Sequence, residues 1–80
     1  MIASVKIYQV GRCVIPKPVR EVFGLDKGDL VELQVPPEDG LTSTVPIRTT
    51  YRVTIPSQIR DELSLEPGDY VTIDVRPSEE

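Results

Sequence analysis

The sequence repeats itself with a period of 40 residues. When residues 3–37 are laid on residues 43–77 without a gap, twelve of the 35 positions are identical. The identical pairs in the central part of the repeat are Arg12/Arg52, Ile15/Ile55, Pro16/Pro56, Arg20/Arg60, Leu25/Leu65, Gly28/Gly68, Asp29/Asp69 and Val31/Val71. Self-similarity at a fixed period indicates a duplicated structural unit. The fold must therefore accommodate two equivalent halves.

The length of the repeat predicts one shared core. A 40-residue unit is too short to bury a sufficient core alone, and the whole chain has 80 residues. We therefore expect a single domain over residues 1–80, with repeats 3–37 and 43–77 and a linker at residues 38–42. The tail at residues 76–80 is expected to fray, as chain ends commonly do.

Apolar periodicity predicts the same elements in each copy. Val31, Leu33 and Val35 alternate with polar residues, which is typical of a strand with one buried face. Val19 and Phe23 are spaced i, i+4, as on the apolar side of a short helix. Ser57 is a favourable N-cap residue, and proline is favoured at the first helical position, here Pro18. Each copy is therefore predicted as strand–strand–helix–strand.

The turns of the two copies are predicted to differ. Gly11 begins a tight turn in the first copy, whereas the equivalent residue of the second copy is Tyr51. Because the second turn lacks the glycine, we expect it to differ from the first turn or to contain a bulge. Gly68 is predicted at the positive-φ position of a type II turn. Asp29 and Asp69 are expected to accept hydrogen bonds from neighbouring backbone amides.

These elements predict a mainly β fold. Two ββαβ repeats give six strands and two short helices, and six strands with one apolar face close best as a small β-barrel without free edges. The strand order of that closed barrel stays open at this point.

Composition excludes several classes of function. The net charge is −4, with five basic and six acidic residues in 1–40 and four basic and seven acidic residues in 41–80. This balance disfavours generic polyanion binding, although a local basic patch is possible. The chain has no histidine and one cysteine, Cys13, which we interpret as core packing. We expect no catalysis, metal or cofactor. We also expect no membrane span and no signal peptide, which fits a cytoplasmic protein.

One continuous stretch resembles a known family. Gly-Arg-Cys-Val-Ile-Pro-Lys-Pro-Val-Arg-Glu-Val-Phe-Gly-Leu-Asp-Lys-Gly-Asp-Leu-Val-Glu-Leu, at residues 11–33, is similar to the AbrB/MazE/SpoVT signature, and the pattern occurs again in the second copy. The resemblance implies a cradle-loop barrel of the RIFT, double-psi or swapped-hairpin type. Most such proteins carry one copy per chain and dimerise, so this chain is expected to be a monomer with internal pseudo-twofold symmetry.

The resemblance also implies a function and a site. AbrB-like proteins bind DNA as transcriptional regulators or antitoxins, through arginines of the first turn and of the helix. The corresponding DNA-binding candidates here are Arg12, Arg52, Arg20, Arg60, Lys17 and Arg48. The alternative is a small interaction module that binds a protein partner and no DNA. In another interpretation, Arg20 and Arg60 pair with acids such as Asp29 and Asp69 and have a structural role.

Overall fold

The computed structural model describes residues 1–78. Its strands are Ile2–Lys6 (β1), Arg12–Val14 (β2), Leu30–Val35 (β3), Leu41–Pro46 (β4), Arg52–Thr54 (β5) and Tyr70–Pro77 (β6). Its α-helices are Lys17–Phe23 (α1) and Ser57–Leu63 (α2). Short 3₁₀ turns at Gln9–Gly11 and Thr49–Tyr51 lead into β2 and β5. The same succession of elements is thus present in both halves, 40 residues apart.

The strands form two antiparallel sheets. A four-stranded sheet has the order β1-β6-β3-β4, and β2 pairs with β5 in a separate two-stranded ladder. The prediction of a mainly β fold with two short helices is therefore confirmed. The six-stranded closed barrel is not confirmed, because the named sheets of residues 1–78 do not join into one ladder. The three-residue strands β2 and β5 are followed by Pro16 and Pro56, which lack the N–H needed to extend pairing.

Strand pairing interlocks the halves. The first strand of each half pairs with the last strand of the other half, β1 with β6 and β4 with β3. The registers correspond: Ile2 faces Asp74, and 40 positions away Thr42 faces Gln34. The remaining pairings, β3 with β6 and β2 with β5, join equivalent strands of the two halves. Neither half could keep these pairings without the other.

Both sheets and both helices contribute to one core. Alternate strand residues are buried, and each helix buries one side chain, Val19 from α1 and Ile59 from α2. The fully buried side chains are Ile7, Cys13, Ile15, Val31, Leu33, Val35, Ile47, Val53, Ile55, Ile73 and Val75, with Val19 and Ile59 nearly so. Cys13 therefore packs as a small apolar residue, as predicted.

Several local predictions are corrected. Ser57 is the first residue of α2 rather than its cap, because Pro56 takes the N-cap position and its carbonyl accepts hydrogen bonds from the N–H groups of Ile59 and Arg60. Pro18 is the second residue of α1 rather than the first. Part of the predicted frayed tail is ordered, since Arg76 lies within β6. Residues 79 and 80 of that tail lie outside the described residues.

The turn predictions had mixed outcomes. Gly68 has the expected positive φ, +96°. Asp29 accepts a hydrogen bond from the Asp26 N–H at 2.9 Å, and Asp69 accepts the equivalent bond from the Glu66 N–H. The prediction that the two first turns differ is wrong. Tyr51 adopts φ 58°, close to the φ of 71° at its equivalent, Gly11.

Candidate nucleic-acid interface

The β2–β5 ladder has one buried and one exposed face. Cys13 and Val53 face each other at its centre, and both are fully buried. Because side chains alternate along a strand, the residues on either side point outward: Arg12 opposite Thr54, and Arg52 opposite Val14. The two arginines are thus diagonal neighbours, a relationship that places residues roughly 7–8 Å apart in antiparallel sheets. Both arginines are exposed.

The turns before the ladder bring further polar groups beside it. The Tyr8 N–H donates to the Arg12 carbonyl at 2.7 Å, and the Arg48 N–H donates to the Arg52 carbonyl at 2.8 Å. Arg48 therefore lies next to Arg52, in the place that Tyr8 takes beside Arg12. The Lys6 ammonium lies 5.7 Å from the centroid of the Tyr8 ring. Three exposed arginines are gathered at this ladder.

An open groove crosses the exposed face of the ladder. Its volume is about 640 Å³. The lining residues are Tyr8, Gln9, Arg12, Cys13, Val14 and Arg52. Both ladder arginines border this groove, together with an aromatic ring and an amide from the first turn. Arginine forks bind phosphate oxygens and guanine edges, and amide side chains pair with adenine, so the groove carries groups suited to duplex DNA.

The helix arginines lie elsewhere and cross between the halves. Arg20 of α1 stacks on Tyr51 of the second half, with 4.1 Å between its Cζ and the ring centroid. Arg60 of α2 passes beside Gly11 of the first half, and its Nε donates to the Ile55 carbonyl at 2.9 Å. Both arginines are half-buried. Each helix is thus held against the turn of the opposite half.

The residue in the turn decides how the arginine is held. A Cβ at Gly11 would lie 2.4 Å from Arg60 Cδ and Nε, so the glycine leaves the space that the arginine occupies. Tyr51 fills the equivalent space with its ring, and within the described residues Arg20 Nε is buried without a hydrogen-bond partner. The interpretation that Asp29 and Asp69 pair with these arginines is wrong, because no such ion pair occurs among residues 1–78.

The remaining charged residues of interest lie on the helices and on β6. Lys17 is exposed as the first residue of α1, and the acidic Glu21 and Asp61 are exposed on the helices. Within residues 1–78, ion pairs involve only Asp74, which contacts the Met1 ammonium at 2.8 Å and Arg76 at 3.2 Å. The hydrogen bond from the Met1 ammonium, with a smaller contribution from Arg76, lowers the pKa of Asp74.

Three further properties concern metal binding, the thiol and membrane insertion. In the described part of the chain, no group of three or more histidine, cysteine, aspartate or glutamate residues is placed to hold a metal ion. Burial raises the pKa of the Cys13 thiol from 9.0 to about 12. No helix among these residues has the length and apolar character needed to cross a membrane.

The structure brings together some of the predicted site residues and separates others. Arg12 and Arg52 share the exposed face of the ladder, with Arg48 next to Arg52, whereas Arg20 and Arg60 contact the turns that lead into the ladder. Sequence reasoning missed Tyr8, Gln9 and Val14. Val14 could have been found from the alternation of β2, which points it to the same side as Arg12. Tyr8 could have been found from the repeat, because it is the counterpart of Arg48.

Comparison with known proteins confirms the resemblance. Residues 45–80 match the family described as "Antidote-toxin recognition MazE, bacterial antitoxin". The solution structure of PHS018 from Pyrococcus horikoshii has the same fold, with a TM-score of 0.82 and 25% identity over 95% of this chain and 88% of that chain. No curated protein matches the chain. The family match supports a role of the antitoxin or regulator type.

Proposed function

We propose that this protein is an AbrB-like, DNA-binding regulator or antitoxin-type protein that contacts duplex DNA through the exposed face of the β2–β5 ladder. The single observation that carries the proposal is the pairing of β2 with β5, which places Arg12 and Arg52 as diagonal neighbours on one exposed surface. Arg48 adds a third cation next to Arg52. Lys17 would reach phosphates at the periphery from the start of α1.

The helix arginines have an indirect role in this proposal. Arg20 and Arg60 support the turns that precede Arg52 and Arg12, instead of reaching the duplex themselves. The exposed acids Glu21 and Asp61 lie beside them on the helices, and the net charge of −4 repels a polyanion at long range. Binding should therefore be weak, confined to the ladder surface and strongly dependent on salt.

The test is fluorescence anisotropy with a labelled duplex of mixed sequence over a series of salt concentrations. Arg12→Ala and Arg52→Ala should each weaken binding and reduce the magnitude of the log–log salt slope by roughly one, because about 0.9 counterions are released for each phosphate neutralised. Arg76→Ala is the matched control: it removes one positive charge from the outward side of β6. It should leave the slope unchanged, with folding checked by circular dichroism.

A second candidate function is a small interaction module that binds a protein and no DNA. The antidote–toxin recognition family matched by residues 45–80 favours this alternative, as does the net negative charge. The anisotropy experiment separates the two functions. If folded protein gives no anisotropy change with any duplex at low salt, DNA binding is wrong and the interaction module is the better account.

A further inference from the structure

Arg12 and Arg52 occupy equivalent positions in the two halves, but different side chains surround them. Arg12 and Arg52 are identical, but their neighbours on the exposed surface are not. The differing equivalent pairs are Tyr8/Arg48, Gln9/Thr49 and Val14/Thr54. The inference below rests on the proposed function, because it concerns what this same surface recognises.

The structure itself establishes that these pairs are equivalent. Tyr8 and Arg48 make the same backbone hydrogen bond, each to the carbonyl four residues ahead. Val14 and Thr54 end strands that pair with each other, and each lies opposite one of the arginines. The register centres on Cys13 and Val53, so a local twofold operation exchanges the two sides of the ladder. The surface therefore has twofold backbone geometry and asymmetric chemistry.

This asymmetry has consequences for base recognition. A homodimer presents identical side chains at twofold-related places, and its half-sites therefore mirror each other. At the end of the ladder that holds Arg12, the Gln9 amide suits adenine, and the Thr54 hydroxyl lies opposite the arginine. At the end that holds Arg52, the Arg48 fork suits guanine or phosphate, and the apolar Val14 opposite Arg52 suits the thymine methyl group. Identical half-sites cannot satisfy both sides.

We propose that one chain recognises a non-palindromic duplex, with an adenine-bearing half-site at the Arg12 end of the ladder and a guanine-bearing half-site at the Arg52 end. Arg12 and Arg52 make the contacts common to both half-sites. The unlike neighbours set the difference between them and fix the orientation of the chain on the duplex.

Selection from a random duplex library at low salt tests this proposal. The wild-type chain should enrich a site with two different halves, with one chain bound per duplex by analytical ultracentrifugation. Two variants make the surface symmetric in opposite ways: Tyr8→Arg/Gln9→Thr/Val14→Thr copies the second half, and Arg48→Tyr/Thr49→Gln/Thr54→Val copies the first. Each should enrich a palindrome, and the two palindromes should differ. Because one variant adds positive charge and the other removes it, charge alone cannot produce both results.

The possible outcomes are distinct. A palindrome enriched by the wild-type chain, two chains per selected duplex, or symmetric variants that keep the unequal wild-type site would each overturn the inference and leave DNA binding intact. No enrichment by folded wild-type protein would instead contradict DNA binding, and the inference with it. The fold of each variant is checked by the dispersion of its amide NMR spectrum.

Discussion

The Arg20 guanidinium lies over the ring of Tyr51, with 4.1 Å between Cζ and the ring centroid. This contact joins α1 of the first half to the turn of the second half, directly before Arg52 of the exposed ladder. The backbone reinforces it, since the Ile15 N–H donates to the Tyr51 carbonyl at 3.0 Å. Tyr51 therefore keeps a positive φ that its residue type disfavours, because contacts from the other half hold it there.

The energy of the Arg20–Tyr51 contact can be measured with a double-mutant cycle. Arg20→Ala and Tyr51→Ala should show a favourable coupling of about 0.5–2 kcal/mol, the range for a cation over an aromatic face. Urea denaturation of the wild type, both single variants and the double variant provides the value. Tyr51→Phe is the control, because it keeps the ring and should keep most of the coupling. Additive effects of the two alanine substitutions would contradict a stabilising stack.

Gly11 should be required for two separable reasons. A Cβ at this position would overlap the Arg60 side chain, and φ is +71°. Gly68 has a comparable positive φ of +96°, but a Cβ there would meet no atom within 4 Å. Gly11→Ala should therefore destabilise the protein more than Gly68→Ala, which reports backbone strain of roughly 1–3 kcal/mol.

The same variants separate overlap from strain. In an Arg60→Ala background, the cost of Gly11→Ala should fall toward that of Gly68→Ala, because the overlapping side chain is gone. Arg60→Ala itself should cost about 1–3 kcal/mol by removing the donor to the Ile55 carbonyl. Denaturation midpoints and m-values of the wild type, Gly11→Ala, Arg60→Ala, the double variant and Gly68→Ala decide this. Equal costs of Gly11→Ala in the two backgrounds would show that the Arg60 side chain moves away from the new Cβ without loss of stability.

The sequence predicted the elements because their determinants are local. Alternation at Val31, Leu33 and Val35 identified β3, and the i, i+4 spacing of Val19 and Phe23 identified α1. Whether the strands close into a barrel depends instead on how far the short β2–β5 ladder extends past Pro16 and Pro56. That extent is set by pairing between the halves and has no signal in the apolar pattern.

The candidate site was predictable only in part, for a related reason. Strand alternation places Arg12 and Arg52 on an exposed face, so their location follows from local sequence and the repeat. The positions of Arg20 and Arg60 do not, because each contacts a turn 31 or 49 residues away in sequence. The prediction for Tyr51 was wrong because steric preference alone was considered, and packing across the halves overrides it.

Asp74 should make stability depend on acid pH. Its pKa is lowered in the folded protein, chiefly by the hydrogen bond from the Met1 ammonium and also by Arg76. The folded state therefore binds fewer protons, so the stabilisation is present above the unfolded-state pKa near 3.9 and is lost as pH falls through the lower folded value. The contribution should be below about 1 kcal/mol, because these charges are near solvent.

Urea denaturation at neutral pH and at pH 2–3 measures this contribution. Asp74→Asn should lower stability at neutral pH, and its difference from the wild type should shrink as pH falls below the unfolded-state pKa of about 3.9. Added salt should shrink the difference at neutral pH, because screening weakens near-surface pairs. A constant difference between the two proteins at all pH values would assign the effect of the substitution to packing instead.

The Cys13 thiol should be unreactive in the folded protein. Its ionisation should also lower the stability of the folded state at alkaline pH. The side chain is fully buried opposite Val53, and burial raises its pKa from 9.0 to about 12. The thiolate is the nucleophile, so alkylation by iodoacetamide at pH 8 should be slower by at least about 100-fold in the folded state than in guanidinium chloride. Alkylation at the same rate in both states would contradict the burial of this thiol.

The sign of the pH dependence follows from the raised pKa. The folded state holds the thiol proton more tightly than the unfolded state, so stability is complete below pH 9.0 and decreases as pH rises from there toward about 12. Cys13→Val places at this position the residue that occupies its counterpart, Val53, and removes the titrating group. The stability of the variant relative to the wild type should therefore increase between pH 7.5 and pH 10.5, measured by urea denaturation in each buffer. The titrations of tyrosine and lysine occur in both proteins and cancel in the comparison. A relative stability that stays constant over this range would show that the buried thiol ionises as readily in the folded chain as in the unfolded one.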